Sequence, residues 1–117
     1  MTDKMKPYNL EERTFEFARD CRILISKLQK TIANIEDGKQ LIRSSGSVGA
    51  NYIEANEKLG DKDFSFRLKI ARKEAKESTY WLKLLKATNP ALELEIDKVL
   101  QEAEELRKIL SAILKKY

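Results

Sequence analysis

Apolar and small residues recur at alternating spacings of four and three along most of the chain. Leu10, Thr14, Phe17, Cys21, Leu24, Leu28, Thr31 and Ile35 form the first row. Leu41, Ser45, Val48, Tyr52, Ala55 and Leu59 form the second, and Phe64, Leu68, Ala71, Ala75, Ser78, Leu82 and Leu85 the third. Leu92, Ile96, Val99, Ala103, Leu106, Leu110 and Ile113 make a fourth. Such a row is the buried seam of a helix packed against other helices. Four helices are predicted, over about 10–34, 38–57, 62–87 and 91–115. Short connections make neighbours antiparallel, and the sustained spacing implies a left-handed supercoil. The predicted fold is all-α: a single up-and-down, left-handed four-helix bundle over residues 1–117.

The boundaries follow from local signals. Residues 1–8 read as a short polar lead, and Asn9 with Glu12 has the pattern of a capping box. Glu36-Asp37-Gly38 is expected to break the first helix. Asp61 is the expected N-cap of the third, and Asn89-Pro90 caps and starts the fourth. The second helix is unusual in composition, with Ser44, Ser45, Gly46, Ser47, Gly49 and Ala50 crowded together. Each mid-helix glycine costs about 1 kcal/mol against alanine. A loop through this stretch would break a continuous seam, so a helix needing close backbone approach is expected.

Composition narrows the chemistry. A hydrophobic content of 42% with 36% charged residues suits a helical domain with a real core, not a disordered chain. The N-terminal stretch lacks the apolar region of a signal peptide, and no run is apolar enough to span a membrane. A lone Cys21 cannot form an internal disulfide and fits a reducing cytoplasm. Histidine is absent, which removes the commonest general base and metal ligand near neutral pH. Phosphate-binding glycine loops and paired cysteine motifs are missing too. A non-enzymatic protein without cofactor or metal is expected.

The net charge is +4, from 23 basic and 19 acidic residues. All of that excess sits between Asp61 and Thr88, which hold eight basic and four acidic residues. Lys62, Lys69, Lys76 and Lys83 recur every seventh residue, a row about 32 Å long on a helix. Arg67, Arg72, Lys73 and Lys86 flank it. Such a row can follow a phosphate backbone of RNA or DNA with salt-sensitive affinity. The plainer reading is a solvated face on which Glu74 and Glu77 partly pair the lysines. Beside the lysines, Phe66, Ile70, Tyr80, Trp81 and Leu84 fall outside the seam. They are read as a protomer–protomer surface in preference to a broadened core, or to the alternative that Tyr80 and Trp81 instead stack on bases. Arg43, Ser47, Asn51 and Glu54 follow one another at helical spacings and suggest a structural polar network on one face.

At these residues the chain resembles a known family. LIRSSGSVGANYIEAN and DFSFRLKIARKEAKESTYWLKLL are similar to the central signature of the bacterial four-helix bundle proteins, also called 23S rRNA intervening-sequence proteins. Arg43, Ser44, Ser47, Val48, Ala50, Asn51, Glu54 and Ala55 match the first part of that signature. Phe64, Leu68, Ala71, Glu74, Ala75, Glu77, Tyr80, Trp81 and Leu82 match the second. The resemblance implies an up-and-down bundle assembling as a ring-shaped homopentamer. A related group, the accessory variability proteins of diversity-generating retroelements, shares the architecture and binds nucleic acid and a reverse transcriptase through a basic surface. Two functions are therefore expected to compete. One is nonspecific binding of RNA or DNA by an oligomer. The other is a scaffold for an unidentified protein partner.

Overall fold

A computed structural model describes residues 9–57 and 59–117. Among the described residues four α-helices follow one another: α1 (Leu10–Ser26), α2 (Ile32–Asn56), α3 (Asp61–Thr88) and α4 (Glu93–Leu114). A 3-10 turn, Pro90–Leu92, leads into α4. The helices pack as an all-α, up-and-down bundle, and no helix among the described residues is long and apolar enough to cross a membrane. The four seams converge on a core whose largest fully buried side chains include Phe17, Leu41, Leu68, Leu82, Ile96 and Leu106.

The first boundary differs from expectation. α1 stops at Ser26, not near residue 34, and the chain turns at 27–31. Thr31, placed by its spacing on the first seam, is the N-cap of α2: its hydroxyl accepts a hydrogen bond from the Asn34 N–H at 3.1 Å. Leu28 still reaches the core from the turn, while Ile32 and Ile35 face outward. Gly38, expected to break a helix, lies inside α2, where a Cβ would sit 3.4 Å from Ile25. That is ordinary van der Waals contact, so the position packs toward α1 without demanding a glycine, and α2 runs through it. Asn34 is buried and exchanges amide hydrogen bonds of 3.0 and 2.8 Å with Asn89. This pair ties the α1–α2 turn to the α3–α4 turn at one end of the bundle.

Other caps are also rearranged. Asn9 has a left-handed backbone (φ 38°), and its amide donates to the Glu12 carboxylate at 2.9 Å instead of capping a backbone N–H. Gly60, at φ 142°, is the N-cap of α3, and Asp61 is the first helical residue. The polar lead expected at 1–8 lies outside the described residues.

Small residues let the helices approach one another. Ser44 on α2 and Ser78 on α3 are fully buried and share a hydrogen bond at 2.8 Å. Buried Ala71 and Ala75 extend the small-residue face of α3, while buried Ser45 of α2 lies toward Cys21 and Arg22 of α1. Each serine hydroxyl also reaches a carbonyl of its own helix, so these interior polar groups are satisfied. Gly49 faces α1, where a Cβ would lie 2.9 Å from Thr14 Oγ1. Cys21 is fully buried, and burial pushes its thiol up to about 12, as suits an inert core residue.

The two glycines Gly46 and Gly49 should therefore respond oppositely to alanine. A Cβ at Gly46 meets only the far end of the long Arg22 side chain, at 3.2 Å. Gly46→Ala is expected to gain up to about 1 kcal/mol through helix propensity. Gly49→Ala forces buried Thr14 and α1 outward and is expected to lose about 1–3 kcal/mol. Urea denaturation of both variants measures the difference. Equal shifts would show that α1 does not rest on Gly49.

Candidate nucleic-acid interface

The lysine row survives on the surface of α3. Lys62, Lys69, Lys73, Lys76 and Lys83 are all exposed. Among the described residues none of these five has a carboxylate oxygen within 4.0 Å. The remaining cations of the helix are engaged. Arg67 lies 3.9 Å from Asp63, and Arg72 leans on α4 with Nη1 3.5 Å from Ser111 Oγ. Lys86 pairs with Asp97 of α4 at 2.8 Å.

The lysines are free because α2 supplies a different partner for the carboxylates of α3. Arg43 reaches across the α2–α3 groove, with Nη2 2.5 Å from Glu77 Oε2 and Nη1 3.7 Å from Glu74 Oε1. The direct ion pairs of Glu74 and Glu77 are with Arg43, and Lys73 adds a longer-range attraction to Glu77, so of the pairing with lysines in the plainer sequence reading only that influence is seen. Trp81 adds its indole N–H to Glu77 Oε2 at 3.1 Å. Donation from Trp81, then from Arg43, holds the Glu77 carboxyl below its ordinary value although burial opposes this. Glu74 is buried, and its Oε1 accepts no hydrogen bond, so the nearby guanidinium is its compensation.

The expected polar network on α2 divides into parts. Asn51 donates to the Ser47 carbonyl and hydroxyl at 2.9 and 3.0 Å. Arg43 turns to α3 and leaves that pair, and Glu54 stands exposed beyond it.

The five apolar residues beside the lysines also separate. Phe66 and Tyr80 are 57% and 56% exposed. Ile70, Trp81 and Leu84 are half-buried within the protomer, and Trp81 packs against the core. Its ring stands edge-on to Tyr80 with centroids 5.1 Å apart. Two shallow depressions result. One, about 500 Å³, is lined by Lys62, Phe66, Lys69 and Tyr117 among others. The second, about 420 Å³, is lined by Lys73, Lys76, Tyr80 and Lys83 with Glu77 and Thr79.

A third surface was not singled out in the sequence. Phe15 and Ile23 on α1 are exposed and, with Ala18, border a depression of about 570 Å³ flanked by Arg19 and Arg22. The available signal was that Phe15 and Ile23 are large apolar residues off the first seam. Among the described residues no cluster of three or more metal-binding side chains occurs.

The family model for 23S rRNA-intervening sequence proteins matches residues 8–112. The fold is similar to the crystal structure of a protein of unknown function from the S23 ribosomal protein family of Bacteroides thetaiotaomicron. That similarity has a TM-score of 0.76 with 32% identity, and covers 90% of this chain and 97% of the other. No curated protein is significantly similar.

Trp81 is the only tryptophan, so its emission reports the protonation of Glu77. A carboxyl whose folded value is depressed contributes stability that is present above its unfolded value and lost as pH falls through the folded value. The acid-induced change in emission is expected to have its midpoint below the ordinary 4.5, and Arg43→Gln should raise it. A midpoint at or above 4.5 in the unaltered protein would contradict the Arg43–Glu77–Trp81 contact.

Proposed function

The chain belongs to the 23S rRNA-intervening sequence protein family, and from this premise we propose that it is a non-enzymatic bundle that binds RNA or DNA without sequence preference. The observation that carries this reading is the row of five exposed lysines on α3 with no carboxylate partner among the described residues. A rigid helix holds them in line, so their spacing does not depend on flexible segments. Phosphates meeting these ammonium groups release counterions, and the affinity falls steeply as salt rises. Contacts of this kind to phosphate carry no sequence information.

A second reading, a protein contact, is favoured by the apolar surface around Phe15, which is 68% exposed. The occupant we propose is another copy of the chain, consistent with the ring-shaped homopentamer implied by the sequence resemblance. Association through α1 leaves the lysine row of α3 open. A ring would then multiply weak phosphate contacts by the number of subunits.

One set of measurements tests both surfaces. Changing Lys69, Lys76 and Lys83 together to Glu is expected to abolish binding of labelled RNA at low salt, read by fluorescence anisotropy. The mass by light scattering should stay that of the unaltered oligomer. Unchanged RNA affinity would remove the row from the interface. An unaltered protein that ignores RNA at low salt would overturn the nucleic-acid reading in favour of the protein scaffold, and a monomeric mass would overturn self-association.

A further inference from the structure

The two exposed rings of α3 sit in a repeated setting. Lys62, Phe66 and Lys69 are spaced by four and three, and so are Lys76, Tyr80 and Lys83. The second set repeats the first after 14 residues, two heptads, so both rings lie on one side of the bundle about 21 Å apart. Each ring borders a separate depression that holds its own pair of lysines together with a third, Lys116 in the first and Lys73 in the second.

The rings are also held in place. Trp81 supports Tyr80 edge-on at 5.1 Å, and Trp81 is itself fixed by the core and by Glu77. The Arg67 guanidinium lies 6.0 Å from the Phe66 centroid. Tyr117 borders the same depression as Phe66 and packs on Phe64 at 4.9 Å. Two carboxylates adjoin the depressions, Asp61 in the first and Glu77 in the second. Glu77 is neutralised by Arg43, and Asp61 lies in the first turn of α3.

An exposed aromatic face between two unpaired ammonium groups suits a base between two phosphates. Bases in a duplex are already stacked on their neighbours, so only an unpaired base can lie on a side-chain ring. We propose that Phe66 and Tyr80 are two stacking platforms for single-stranded nucleic acid, with the lysines on either side of each ring holding the flanking phosphates. The distance between the platforms corresponds to about six nucleotides at the rise of a stacked strand. This inference rests on the nucleic-acid reading above and narrows it from any nucleic acid to unpaired strands.

Phe66→Leu combined with Tyr80→Leu keeps exposed apolar bulk and every charge while removing both π faces. Anisotropy titrations compare a single-stranded RNA of about 20 nucleotides, enough to span both platforms, with a blunt duplex of equal length. The unaltered protein is expected to prefer the single strand. The double variant should lose at least about 25-fold in affinity for the single strand, about fivefold or more per ring, with its salt dependence and duplex affinity unchanged. Full single-strand affinity in the double variant, or a preference for duplex in the unaltered protein, would overturn the platforms while leaving the lysine row standing. Failure of the unaltered protein to bind either form would overturn the underlying reading along with them. Circular dichroism of the variant confirms that the helices remain.

Discussion

The contact between α2 and α3 controls both the interior and the charged surface of this bundle. At its centre are residues with little side chain: buried Ser44 on α2 faces buried Ser78 on α3, whose small-residue face Ala71 and Ala75 extend. The shared hydrogen bond between Ser44 and Ser78 removes the penalty of burying two hydroxyls. Arg43, one residue before Ser44, emerges at the rim of this contact and reaches Glu74 and Glu77. The same close approach that closes the core therefore sorts the charges of α3. Its central carboxylates face α2, and its lysines face solvent without them. A surface pair between exposed Lys and Glu contributes little to stability. Here the glutamates have an arginine instead, with one carboxylate buried and the other hydrogen-bonded to Trp81.

Much of the fold was legible because the core uses one rule throughout. The seam of α3 from Leu68 to Leu85 is buried at every position, and that of α1 from Leu10 to Leu28 likewise. The α1–α2 boundary was not legible for two local reasons. Thr31 and Ile35 continue the four-three spacing by coincidence, although Thr31 is a cap and Ile35 is exposed. Gly38 has the composition of a breaker, but it lies inside α2, packed toward Ile25 of α1. Spacing reports a helical face, and it does not report whether the chain has turned between two successive members of that face.

The surface was legible in charge and less so in partnership. Sevenfold spacing placed Lys62, Lys69, Lys76 and Lys83 on one exposed row. It could not show that Arg43, about 30 residues earlier in sequence, takes the carboxylates the lysines were expected to share. The apolar row was read as one surface because all five residues leave the seam. In three dimensions Ile70, Trp81 and Leu84 lean into the protomer, and only Phe66 and Tyr80 remain outside among the lysines. A heptad frame gives the direction of a side chain from its own helix. How far the neighbouring helix covers it depends on interhelix distance, which the sequence does not state.

The salt dependence of single-stranded RNA binding tests the free lysine row most directly. Five unpaired lysines, each meeting a phosphate, give a slope of log K against log salt of about −3.5 per bound protomer. If Glu74 and Glu77 each neutralised one lysine, three would remain and the slope would be about −2. A slope near −3.5 is the expected result. A slope near zero would show that the row does not meet phosphate, and would contradict the link between the Arg43 contact and binding.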